Sequence, residues 1–103
     1  MNQAEIDAGE AAFKAWVHDK WGVFGDLAVP ETAELGGTEL IIETMDAKTY
    51  ASDQEMIAAC AAAMYQKVVE SGNGDRVSLD DCKACASEVI AAVQKVRQQE
   101  KQQ

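Results

Sequence analysis

Proline is nearly absent from this sequence, with Pro30 the single example, and aromatic residues make up 6% of it. The first shortage leaves long stretches in which nothing breaks a helix, and the second argues against the thick apolar filling of a β-sandwich. There is one histidine, His18, and no cysteine or serine stands in a recognisable local signature that would complete a catalytic triad with it. Glycine is too sparse for a phosphate-cradling loop: Gly72-Asn73-Gly74 follows a helical pattern instead of a strand and has no P-loop lysine. No apolar run approaches the roughly 18–20 residues of a membrane span, since the most apolar stretch, Met56 to Met64, is short. The N-terminus has no basic region leading into an apolar block, so no secretory signal is read and a cytoplasmic location is expected.

Alanine, glutamate, lysine and glutamine, all good helix formers, fill much of the remainder. A length of 103 residues suits one domain of roughly 100 residues. The expected fold is all-α, over residues 1–103: a small helical bundle with a long N-terminal helix, an irregular acidic connection containing a short helix, and a C-terminal antiparallel helical hairpin.

The first helix is expected over 3–21. Asn2 is its cap, Glu5 stands at the capping-box position, and Ile6, Phe13, Trp16, Val17 and Trp21 recur at three- to four-residue spacing before Gly22. Gly22, Gly25, Pro30 and Gly36-Gly37 break the periodicity, although residues 30–34 can make one helical turn closed by Gly36. Thr38 reads as the cap of a short segment, 39–46, in which Leu40, Ile41, Ile42 and Met45 fit either a helix face or a brief strand. Helix is preferred because a lone strand has no partner in the chain. Ser52-Asp53-Gln54-Glu55 is a capping box opening a helix over 53–71, with Met56, Ile57, Cys60, Met64 and Val68 on one stripe. Ser71-Gly72-Asn73-Gly74 stops it, and Ser78 with Asp80 and Asp81 starts the last helix, 79–98, ahead of a polar tail, 99–103, expected to fray. In that helix Leu79, Cys82, Ala86, Val89, Val93 and Val96 form a short heptad seam. Packing within the chain is the favoured use of the seam, and a homodimer through it is the alternative.

Cys60, Cys82 and Cys85 cannot all pair within one chain, so reduced thiols are expected. Cys82-Lys83-Ala84-Cys85 has Cys-x-x-Cys spacing, but no strand precedes it and Cys82 falls on the apolar seam, which favours packed thiols over a redox centre. Zinc would need His18 as a fourth ligand beside the three cysteines, and is not expected. Residues 70–81 have the length of a calcium-binding loop, yet Gly72 and Gly74 occupy positions that should carry oxygen ligands. No metal or cofactor is therefore expected.

Charge is the informative feature. Residues 1–55 hold 12 carboxylates and three lysines, while residues 56–103 hold six charges of each sign, so the whole net charge of −9 sits in the first half. Such a field repels nucleic acid and anionic membrane and attracts basic surfaces. The candidate partner-binding residues are Trp21, Phe24, Asp26, Glu31, Glu34, Glu39, Glu43 and Asp46, with the two aromatics at the edge of the acidic stretch. They suggest a non-catalytic protein that docks on a basic protein surface. One form of this is an inhibitor of a nucleic-acid-binding complex, such as a phage anti-defence, anti-CRISPR-like protein; the alternative is a homo-oligomeric structural or adaptor protein built on the last helix.

Overall fold

The computed structural model describes residues 2–21 and 32–101, with side chains described for 2–20 and 34–100. These form four α-helices, α1 (Gln3–Trp21), α2 (Gly37–Asp46), α3 (Asp53–Glu70) and α4 (Leu79–Lys101), with a 3-10 turn at Thr32–Leu35 ahead of α2. No strand occurs among the described residues, and the all-α bundle expected from composition and periodicity is the fold observed.

Local chemistry sets most of the helix ends. The Asn2 side chain accepts from the Ala4 N–H at 2.8 Å. Glu5 does not close the expected capping box, because its carboxylate is taken by Arg97 on α4. At the start of α3 the Ser52 hydroxyl accepts from the Glu55 N–H at 3.2 Å, while the Glu55 carboxylate reaches back to Ala51 N–H at 3.3 Å. At the start of α4 the exchange is reciprocal within one pair: Ser78 Oγ accepts from Asp81 N–H at 3.1 Å and the Asp81 carboxylate accepts from Ser78 N–H at 2.9 Å. Between them, α3 ends in a Schellman turn: Asn73 N–H bonds Val68 C=O, Gly72 N–H bonds Val69 C=O, and Gly72 takes the left-handed φ of 83° that this turn requires.

Two boundaries differ from expectation. Thr38 does not cap α2; the helix starts from Gly36, whose φ of 103° aims the chain into it with no side-chain cap. Thr38 instead lies inside the first turn, buried, and donates to Glu10 on α1 at 3.4 Å. At the other end of the chain, α4 continues to Lys101 instead of fraying after 98. Arg97 bonds Glu5 on α1 and Glu100 bonds the α1 cap Asn2, which gives the end of α4 tertiary partners.

α4 is the hub. It contacts α1, α2 and α3, whereas α1 and α3 share no contact among the described residues; the three long helices thus form a layer, α1–α4–α3, with α2 packed against all three. The ends of α1 meet opposite ends of α4, through Glu5 with Arg97 and Lys20 with Asp81, so the two run antiparallel. α3 and α4 form the expected hairpin.

A helix with three neighbours needs a wide apolar stripe. Cys82, Cys85, Ala86, Val89, Ile90 and Val93 are all buried, spanning about 140° of the α4 surface at 100° per residue. The heptad seam contained four of these; Cys85 and Ile90 are the edges it missed. Its interior, Cys82, Ala86, Val89 and Val93, is fully covered within the chain, and Leu79 at its start is 42% exposed. Phe13, Val17, Ile41, Ile42, Met45, Met64 and Val68 complete the core around the stripe.

Gly9 lets α1 approach. A methyl group there would lie 2.5 Å from Thr38 Cγ2 and 3.3 Å from both Val89 Cγ1 and Val93 Cγ2, all on buried side chains. Alanine is favoured over glycine by about 1 kcal/mol in a helix interior, but overpacking costs about 1–3 kcal/mol. Gly9→Ala is therefore expected to lower the thermal midpoint, and a rise would show that α1 can shift without penalty.

Candidate functional site

In α2, the inward positions Ile41, Ile42 and Met45 leave Glu39, Glu43 and Asp46 on the outward side, three exposed carboxylates one turn apart on a single stripe. Successive members rise by about 6 and 4.5 Å along the axis. Glu34, in the preceding 3-10 turn, is exposed as well, and its carbonyl accepts from the Ser71 hydroxyl at 3.0 Å. That bond ties the entry of α2 to the α3–α4 turn, while Asp46 at its exit meets Arg97 near the start of α1. The acidic stripe thus runs along the bundle instead of collecting at one end. Of the other candidates, Trp21 closes α1 with its side chain outside the described residues, and Phe24, Asp26 and Glu31 lie outside them entirely.

The carboxylates of the stripe are not equivalent. The C-terminal end of α2 carries no basic residue in its last turn, so the helix dipole disfavours an acid there. Arg97 compensates from another helix. Its Nη1 and Nη2 bond the two Asp46 oxygens at 3.0 and 2.8 Å, and its Nε bonds Glu5 Oε1 at 2.8 Å. The hydrogen bonds to Asp46, then those to Glu5, raise the guanidinium pKa against the opposing effect of burial. One planar cation therefore joins α1, α2 and α4. Periodicity could not reveal it, because its three residues are separated by 41 or more positions and Arg97 lies in a half of the chain whose charges balance.

The thiols are structural. Cys60, Cys82 and Cys85 are free and fully buried, and Cys60 Sγ donates to the Ile41 carbonyl at 3.6 Å. Burial pushes the Cys60 and Cys82 thiols up to about 11, and Cys85 higher still, opposite to the shift a reactive thiol needs. His18 stands exposed on α1. No group of three or more histidine, cysteine, aspartate or glutamate side chains among the described residues could hold a metal ion. In the α3–α4 loop the polar groups serve the turn: Asn73 C=O accepts from Arg76 and Val77 N–H, and its amide donates to Ser71 Oγ at 2.8 Å.

Compared with known protein families, curated proteins and solved structures, the chain matches none of them. Among the described residues no helix is long and apolar enough to cross a membrane.

Arg97→Ala strands Glu5, whose side chain is 11% exposed, and is expected to cost about 2–3 kcal/mol in denaturant unfolding. Asp46→Asn, at a side chain 52% exposed, should cost under about 1 kcal/mol; equal losses would show that Glu5 does not depend on Arg97. The thiols set an alkaline limit. An unfolded chain releases its thiol protons near the ordinary value of 9.0, whereas folded Cys60 and Cys82 hold theirs to about 11. Unfolding therefore gains from deprotonation first, and stability should fall as pH rises from 9 towards 11. A triple Cys→Ala variant should show a flatter profile in that window.

Proposed function

We propose that this chain is a non-catalytic acidic binding protein that docks on a basic surface of a protein partner through the outward stripe of α2, Glu39 and Glu43, extended by Glu34 in the preceding turn. Trp21, Phe24, Asp26 and Glu31 are further candidate contacts on the sequence argument. Asp46 takes a supporting part in this reading, since its charge is already satisfied by Arg97 and its value lies in fastening α2.

The observation that carries the proposal is the placement of Glu39 and Glu43, on the exposed side of a helix whose other side is in the core. Two like charges one turn apart disfavour the isolated helix by about 0.2–0.5 kcal/mol, a cost that a basic partner would convert into attraction. A rigid row of carboxylates suits a surface that otherwise receives phosphates, and the net charge of −9 makes direct contact with nucleic acid unfavourable. An inhibitor of a nucleic-acid-binding complex, of the phage anti-defence or anti-CRISPR-like kind, is the form of partner use that this chemistry fits. Burial of the α4 seam inside the chain weighs against the alternative of an oligomer assembled through it.

The test is a lysate capture at low and high salt, comparing wild type with the variant Glu34→Gln, Glu39→Gln and Glu43→Gln, which leaves the Arg97 cluster intact. A basic partner held by wild type at low salt, released by duplex DNA and bound roughly tenfold more weakly by the variant is the expected result. Equal retention of the same partner by both proteins would remove the α2 stripe from the interface.

A further inference from the structure

A second feature lies on roughly the opposite side of α1 from Glu10, the residue that faces α2. There α1 and α4 leave a notch of about 180 Å³ lined by Ala12, Ala15, Trp16, Asp19 and Glu88. Its origin is steric. Two alanines bring only methyl groups to fill the space, and the half-buried Trp16 packs against the core while still lining the notch. Asp19, one turn beyond Ala15, and Glu88 on α4 bring two carboxylates to it.

These acids differ from their neighbours. On the same two helices Glu5, Glu10 and Asp81 pair with Arg97, Lys14 and Lys20. Asp19 and Glu88 form no ion pair or hydrogen bond among the described residues. Lys20, with its ammonium 6.0 Å from the Trp16 ring centroid, is itself held by Asp81 at 3.0 Å. Burial would raise the Asp81 pKa, but the bonds from Ser78 N–H and Lys20 outweigh it and hold the carboxyl below its ordinary value, so Asp81 keeps the charge that holds Lys20. The notch thus combines an apolar floor, an aromatic wall and two carboxylates that lack a cation.

We infer that this notch receives an arginine side chain of a protein partner, with Asp19 and Glu88 accepting from the guanidinium and the Trp16 ring flanking its plane. Guanidinium fits for three reasons: it is planar and weakly hydrated, it stacks on aromatic rings, and its donors suit more than one carboxylate at once. A divalent ion does not fit, since two carboxylates fall well short of its usual six or more oxygen ligands. The site lies on a different face from the α2 stripe and stands independently of it.

Amide spectra of the ¹⁵N-labelled protein, titrated at low ionic strength with N-acetyl-arginine methylamide, test the inference. Its neutral isostere N-acetyl-citrulline methylamide is the control. The Trp16 indole N–H, assigned with Trp16→Phe, should shift saturably with the arginine compound, in the millimolar range of a single side chain (about −4 kcal/mol), and should not respond to citrulline. The variant Asp19→Asn with Glu88→Gln, both at exposed positions, should bind about fivefold more weakly with an otherwise unchanged spectrum. The Glu34, Glu39 and Glu43 amide variant should bind as wild type does, which separates this site from the α2 interface. A linear response, an equal response to citrulline, or unchanged binding by the double variant would overturn the assignment.

Discussion

α4 is enclosed on three sides, and the rest of the bundle depends on that enclosure. With α1 and α3 on its flanks and α2 packed over it, the helix buries six residues from Cys82 to Val93 at nearly every position that is not outward. Full burial of a valine or isoleucine side chain is worth about 1.5–3 kcal/mol, so opening the enclosure around Val89, Ile90 and Val93 would cost several times that amount. The small residues among the six matter as much. Cys82, Cys85 and Ala86 are compact, and Gly9 on α1, which faces Val89 and Val93, has no side chain at all, so the backbones can come close. The thiols are best understood as part of this packing, as small apolar groups whose protons burial retains.

A tight layer of three helices leaves α2 to be fixed by other means. It is ten residues long, too short to be stable alone, and its outward stripe is entirely acidic. Three contacts hold it. Its apolar side sinks between α1, α3 and α4; the Ser71 hydroxyl ties the Glu34 carbonyl before it; and Arg97 clamps Asp46 at its end. The same guanidinium satisfies the buried Glu5, so one cation serves both the α1–α4 contact and the position of α2. A rigid mount of this kind matters to an electrostatic binder, because charges held at fixed spacing lose less side-chain and backbone entropy on association.

The two candidate interfaces sit on different sides of the molecule and use different physics. The α2 stripe offers extended charge to a broad basic surface, where attraction is long-ranged and salt-sensitive. The notch by Trp16 offers a small, partly apolar recess in which a single guanidinium would be held by contact. Field and anchor together are what a small protein needs to combine rapid association with slow release.

Local signals along the chain mark the three long helices and their order. Asn2, Ser52 and Ser78 announce three starts, Ser71-Gly72-Asn73 announces a stop, and the three- and four-residue spacing of apolar positions marks the buried faces, because these signals act between neighbours in the chain. Charge asymmetry was legible for the same reason. What the sequence left open was decided by contacts across long separations. Glu5 gave up its local capping role to Arg97, Thr38 moved from cap to core opposite Gly9, and Cys85 and Ile90 joined the stripe because α4 has three neighbours instead of one. Only the tertiary structure could assign these roles, since the energy of a buried charge or a close helix contact depends on which distant group arrives to meet it.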